Sequence, residues 1–95
     1  MTADHRKALE LARDGEWEAS HEIVQAHSDD FSSLIHAYLH RVEGDLGNAA
    51  YWYRRAGEPV STLSIEQELQ SLFERETASA SASASASASA SAASD

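Results

Sequence analysis

The chain has 95 residues and a formal net charge of −9, with 16 acidic side chains against 7 basic ones. Phosphate groups repel so acidic a chain, and we therefore expect it to bind neither nucleic acid nor an anionic membrane. It contains no cysteine, which excludes disulfides, thiolate chemistry and cysteine-based zinc sites. There is no long apolar run and no signal-peptide pattern, so a cytoplasmic location is expected.

The composition divides the chain into two parts. Residues 1–76 hold every large apolar side chain, whereas residues 77–95 are almost pure Ser-Ala alternation and cannot form a hydrophobic core. We predict one helical domain over 1–76 and a disordered Ser-Ala tail over 77–95, with a frayed helical extension as the alternative for the tail. A domain of this size is near the lower limit for a single core, so tight helix packing or self-association is expected to support it.

The first two predicted helices form a hairpin. The first is expected from about Ala3 to Arg13, capped by Thr2 or Asp4, and the second from about Glu16 to Ala26. Apolar side chains recur at helical spacing along both segments. Gly15 separates the two helices, because glycine ends a helix at little conformational cost.

The stretch from Leu34 to Gly57 predicts a second hairpin. Apolar side chains before the turn fall three and four positions apart, on one helical face: Phe31, Leu34, Ile35, Tyr38, Leu39 and Val42. Gly44 suits the end of this third helix, Asp45 can cap the fourth, and Asp29 or Asp30 can cap the third. The fourth helix again shows helical spacing, at Leu46, Ala49, Trp52, Tyr53 and Ala56.

A fifth helix follows Pro59. Ser64 and Gln67 form a capping box, although Ser61 or Thr62 could begin the helix a turn earlier. Its apolar side chains lie on one face: Ile65, Leu69, Leu72 and Phe73. We predict that this C-terminal capping helix covers the exposed face of the second hairpin. The predicted fold is therefore all-α, with two antiparallel helical hairpins and a closing helix.

The two turns share a Gly-acid-apolar order, in Gly15-Glu16-Trp17 and Gly44-Asp45-Leu46, at an offset of 29 residues. The spacing of Ala49, Tyr53 and Ala56 after the second turn resembles the second half of a tetratricopeptide repeat. This resemblance implies stacked helical hairpins and a role in protein interaction, but the first-half signature is missing and no binding residues are carried over. The whole chain is also similar to small helical proteins of unknown function from bacteria, which implies no activity.

Residues 31–57 are the only segment that is not acidic, and they lie between two strongly acidic flanks. Arg41, Tyr51, Arg54 and Arg55 are expected on the outer side of this segment, and arginine and tyrosine are common in binding hot spots. We predict a non-catalytic module for protein interaction or self-association, in which these residues receive an acidic protein partner or a second copy. The alternative is that the arginines pair with acids of neighbouring helices.

A second candidate site follows from His36, His40 and Glu43, which we expect on one helical flank opposite the apolar face. Two histidines four residues apart can hold a divalent metal, so the alternative function is a small metal-binding protein. The competing interpretation is a solvated or interface face on which His40 and Glu43 pair. The other histidines, His5, His21 and His27, are scattered and more typical of surface positions. No catalytic triad can be matched by spacing, so neither enzyme activity nor a cofactor is predicted.

Overall fold

A computed structural model describes residues 4–84, and this part of the chain contains five α-helices and no strand. The predicted all-α class is confirmed. The helices are α1 (His5–Arg13), α2 (Trp17–Gln25), α3 (Asp30–Val42), α4 (Leu46–Ala56) and α5 (Ile65–Ala84). Among these described helices none is both long and apolar enough to cross a membrane.

Short polar side chains define where the helices begin. Asp4, Asp29 and Asp45 each accept a hydrogen bond from the backbone amide three residues further on, which satisfies a donor that the first turn leaves free. Ser64 and Gln67 form the predicted capping box, since each side chain accepts from the backbone amide of the other at 3.1 Å. These local signals therefore placed the starts of four helices correctly.

The two hairpin turns have the same backbone geometry. Gly15 and Gly44 adopt φ angles of 82° and 87°, a left-handed conformation in which a side chain would be strained. The amide that follows each glycine donates to the carbonyl five residues earlier, at 2.8 Å in the first turn and 2.9 Å in the second. Both turns are thus Schellman-type helix ends, and they fold α1 onto α2 and α3 onto α4.

Helix α3 lies at the centre of the fold and packs against all four other helices. Every residue from Ser32 to His40 is buried. The sequence predicted one apolar face on α3 with the opposite flank solvated or at an interface, and the structure shows that this flank is buried. A helix surrounded on all sides has no solvated flank, so its polar side chains are buried with the apolar ones.

Helix α5 packs against α1 and α3 rather than over the second hairpin alone. Its Phe73 ring lies beneath the guanidinium groups of Arg6 and Arg13 of α1, at 5.4 and 5.6 Å from the ring centroid. The helix continues to Ala84, so residues 77–84 of the predicted tail are helical. Residues 85–95 lie outside the described residues, and disorder of the tail stays a prediction.

Two predicted core residues are exposed at the turn between α3 and α4. Val42 is 45% exposed and Leu46 is 65% exposed. Both follow the apolar spacing of their helices, but they occupy the last residue of α3 and the first of α4. The two helices diverge from the rest of the core there, so nothing covers these side chains.

Replacing Ala49 with leucine is expected to lower the free energy of unfolding by about 1–3 kcal/mol. Ala49 is buried at the α3–α4 contact, where three added carbon atoms would force the helices apart. Thermal and urea unfolding followed by circular dichroism measure the change. Ala19→Leu on the exposed side of α2 is the matched control, and an equal effect of both substitutions would contradict the prediction.

Candidate metal centre

Three histidines from two helices meet beside the core. His21 of α2 joins His36 and His40 of α3, and one ring nitrogen of each lies within 4.8 Å of the other two. The ring centroids are 4.6 Å apart for His21 and His36, 5.0 Å for His36 and His40, and 5.4 Å for His21 and His40. We call these three side chains the histidine cluster.

Both tryptophans of the chain pack on the histidine cluster. Trp17 stacks on His21 with 4.7 Å between ring centroids, and its indole Nε1–H donates to the Leu39 carbonyl at 2.7 Å. This hydrogen bond fixes α2 against α3. Trp52 of α4 stacks on His36 at 3.8 Å with an interplanar angle of 11°. The indoles therefore hold the imidazole rings from two sides and reduce their access to water.

The surroundings favour neutral imidazoles. Burial lowers the pKa of His36, and together with repulsion from the nearby His21 and His40 it brings that pKa to about 4. Burial also lowers the pKa of His21, with a further contribution from His40 that Glu43 and the acids of α2 oppose. Neutral imidazole is the form that binds a metal, so His21 and His36 are ready ligands at neutral pH.

The Nδ1 atom of His36 is buried and has no hydrogen-bond partner among the described residues. A buried polar atom without a partner typically costs about 1–3 kcal/mol, and such atoms are rare in folded proteins. His36 is only 4% exposed, which leaves little room for solvent to satisfy it. A metal ion is one species that would supply the missing partner.

Glu43 contacts one ring nitrogen of His40. The Nδ1 atom of His40 lies 3.3 Å from Oε1 of Glu43, a contact that leaves Nε2 free. A carboxylate on the second ring nitrogen is the usual support of a metal-bound histidine. His40, Glu43 and Asp45 also form a group with close ligand atoms, but both carboxylates are exposed and Asp45 is occupied as the cap of α4.

Tetrahedral zinc with Zn–N bonds of 2.0–2.1 Å places its nitrogen ligands about 3.3 Å from one another. The three histidine nitrogens are separated by at most 4.8 Å. Rotation of the imidazole rings about χ1 and χ2 can close a difference of about 1–1.5 Å without moving a helix backbone. The cluster is therefore close to a three-ligand metal site, with one coordination position left for water or another ligand.

The metal site predicted from the sequence differs in part from the histidine cluster in the structure. His36 and His40 lie together as predicted, but they are buried, at 4% and 8% exposed, rather than on a solvated flank. Glu43 contacts His40 and is not within the three-histidine group. His21 was missed. The available signal was its position four residues after Trp17, which puts both side chains on the face of α2 that packs against α3.

The predicted partner-binding residues separate into two places. Arg41 forms an ion pair with Glu68 of α5 at 2.7 Å and also donates to the Leu63 carbonyl. Glu68 accepts a second hydrogen bond, at 2.5 Å, from Tyr53, whose pKa is raised by burial and by this bond. Arg41 is thus an internal ion-pair partner, whereas the sequence left that alternative open for Arg54 and Arg55.

Tyr51, Arg54 and Arg55 remain together on the exposed side of α4, and we call them the α4 patch. The Arg55 guanidinium donates to the Tyr51 hydroxyl at 3.3 Å and lies 5.3 Å above the Trp52 ring. Neither Arg54 nor Arg55 has a carboxylate within ion-pair distance in the described part of the chain.

No family model, curated protein or solved structure matches this chain. A functional assignment therefore depends on the chain's own residues.

Proposed function

We propose that this protein binds a divalent transition-metal ion through His21, His36 and His40. One observation carries the proposal: three imidazoles, two of them buried and one partly buried, converge beside the core, and Nδ1 of His36 has no hydrogen-bond partner among the described residues. A purely structural histidine would be expected to donate or accept a hydrogen bond at each buried nitrogen. Metal coordination offers a partner to all three rings at once.

The ligand chemistry limits which metals fit. Imidazole nitrogen suits zinc, nickel and copper, whereas calcium and magnesium require oxygen ligands. The three-histidine group contains no carboxylate, and the chain has no cysteine. We therefore propose a metal of the zinc, nickel and copper class. Glu43, which the sequence suggested as a ligand, is assigned the role of orienting His40.

Titration with zinc or nickel tests this function. At a free metal concentration of about 100 times the dissociation constant, binding should stabilise the fold by about 2.7 kcal/mol. Calorimetry measures metal binding, and thermal unfolding measures the gain in stability. Trp52 fluorescence provides an independent signal because its indole stacks on His36. Magnesium should produce no change.

Alanine variants identify the ligands. His21→Ala, His36→Ala and His40→Ala should each abolish the stabilisation, whereas His27→Ala, which lies outside the histidine cluster, should keep it. A flat titration of the wild-type protein would exclude the proposal. If metal stabilises His21→Ala as much as the wild-type protein, the three-histidine arrangement is excluded.

A second candidate function, protein interaction through the α4 patch, has separate support. In a chain with 16 acidic residues, Arg54 and Arg55 have no carboxylate partner among the described residues. Arginines exposed beside a tyrosine suit a carboxylate-bearing protein partner. Binding of a synthetic Glu-rich peptide, lost in Arg54→Gln/Arg55→Gln, tests this function, and no binding by the wild-type protein would exclude it.

A further inference from the structure

We infer that the partner of the α4 patch is the acidic face of α2 in a second copy of this chain. This face consists of Glu18 and Glu22, and the resulting assembly is a symmetric homodimer. The inference deepens the second candidate function and does not depend on metal binding.

The first observation is the distribution of ion pairs over the arginines. Four arginines pair with carboxylates at 2.7–3.2 Å within the described part of the chain: Arg6, Arg13, Arg41 and Arg75. Arg54 and Arg55 do not. Both lie in the last turn of α4, where the helix dipole favours positive charge, but they are exposed and their guanidinium groups are available to an external carboxylate.

The α4 patch is also held in place before any partner arrives. The contact of Arg55 with the Tyr51 hydroxyl and its position over Trp52 restrict the guanidinium. Tyr51 is itself fixed edge-on against Trp52, with ring centroids 5.1 Å apart. Side chains that are already ordered lose less conformational entropy on binding, so such a patch suits an interface.

The complementary charges lie on α2. Glu18 and Glu22 are exposed and one helical turn apart, and neither has a basic partner among the described side chains. At this spacing their Cβ atoms are about 5–6 Å apart, so both carboxylates lie on one exposed stripe of α2. Two carboxylates therefore match two guanidinium groups in number and in charge.

Both surfaces belong to helices that pack beside the same residue of α3. His36 contacts His21 of α2 and also Trp52 of α4. A two-fold axis that places one α4 patch on the α2 face of the other copy produces the same contact a second time. The net charge of −9 opposes association at long range, but at about 0.15 M salt the Debye length is about 8 Å and the local pairs dominate.

A charge exchange tests the dimer by its solution mass, measured by sedimentation or light scattering at about 0.15 M salt. The wild-type protein should have twice the monomer mass. Arg54→Glu/Arg55→Glu and Glu18→Lys/Glu22→Lys should each have the monomer mass, because like charges then face each other at both contacts. An equimolar mixture of the two variants should regain the dimer mass, because both contacts become complementary again.

Two control variants accompany the exchange. Glu66→Lys/Glu74→Lys on exposed α5 positions changes the net charge by the same amount as the α2 reversal and should remain a dimer. Arg54→Gln/Arg55→Gln removes the charges without reversing them and should be a monomer with unchanged circular dichroism. This second variant keeps the test valid should a reversal disturb folding.

A wild-type protein that stays monomeric at every concentration would overturn the inference, as would a variant mixture that stays monomeric. A monomer that still binds the Glu-rich peptide through Arg54 and Arg55 would exclude the second copy while leaving the second candidate function intact. The two failures are therefore distinguishable.

Discussion

Replacing Arg41 with alanine is expected to lower the free energy of unfolding by about 3–5 kcal/mol. Its partner Glu68 is only 4% exposed and also accepts a hydrogen bond from the buried Tyr53 hydroxyl. Without the guanidinium, a carboxylate would remain in the interior with one hydrogen bond and no opposite charge. The loss of the Leu63 carbonyl's donor adds to the cost. Urea unfolding followed by circular dichroism gives the free energy.

Two further variants show whether the unpaired buried carboxylate causes the loss of stability in Arg41→Ala. Arg13→Ala removes an exposed, solvent-screened pair with Asp14 and the contact of the Arg13 guanidinium with the Phe73 ring, and should cost less than about 2 kcal/mol. The double variant Arg41→Met/Glu68→Leu removes both buried charges and should recover part of the stability lost in Arg41→Ala, since no unpaired charge remains although the Tyr53 hydroxyl loses its acceptor. If Arg41→Ala and Arg13→Ala cost the same, the Arg41–Glu68 pair is screened by water and does not anchor α5.

The features predicted correctly from the sequence depend on residues close together in the chain. The cap at Asp29, the capping box at Ser64 and Gln67, and the left-handed turn at Gly44 each involve groups within five residues. Short-range hydrogen bonds and backbone sterics decide these features, so sequence order alone is enough to place them. The all-α class follows from the same local signals.

The errors concern packing between distant segments. His36 and His40 were predicted on a flank opposite the apolar face, solvated or at an interface, because the helical spacing of α3 shows one apolar face. Periodicity reports which side chains are apolar and does not report how many neighbours surround a helix. Helix α3 has four neighbouring helices, so its polar flank is buried against α2 and α4.

Arg41 illustrates the same limit. Its ion-pair partner Glu68 lies 27 residues away along the chain. From the sequence alone, many other acidic residues are equally plausible partners. Only the packing of α5 against α3 selects Glu68. His21 was likewise assigned to the surface, because its proximity to His36 depends on the angle between α2 and α3. The metal site was therefore predictable as a pair of histidines and not as a cluster of three.

Protons and metal ions compete for the same nitrogens in this cluster. Protonation of His36 or His21 removes the lone pair that a metal requires. Through His36, metal affinity should therefore fall only when the pH approaches the folded-state pKa of about 4, below the interval in which the apo protein loses stability. The apo protein has to be measured with a chelator present, so that traces of metal do not hide the effect of protons.

Acidifying the metal-free protein from about pH 7.5 to about pH 4.5 is expected to lower the free energy of unfolding by about 2–3 kcal/mol. In the fold the pKa of His36 is about 4, against an ordinary value of 6.5. Between these values the unfolded chain binds more protons than the folded protein, so stability is complete above about pH 6.5 and decreases as the pH falls towards 4. The lowered pKa of His21 acts in the same direction.

Other charged groups can be separated from this effect. Burial alone would raise the pKa of Asp29, but hydrogen bonds from Ser32 and His5 lower it to about 2. Asp29 therefore changes the free energy of unfolding only below about pH 4. Glu43 and the acids of α2 oppose the shift of His21 and so reduce its share.

His36→Gln cannot take up a proton in this range and should make the pH dependence shallower, whereas His27→Gln should keep the wild-type dependence. Urea unfolding at a series of pH values measures both. If His36→Gln shows the wild-type dependence, His36 is not the group that makes the fold sensitive to acid.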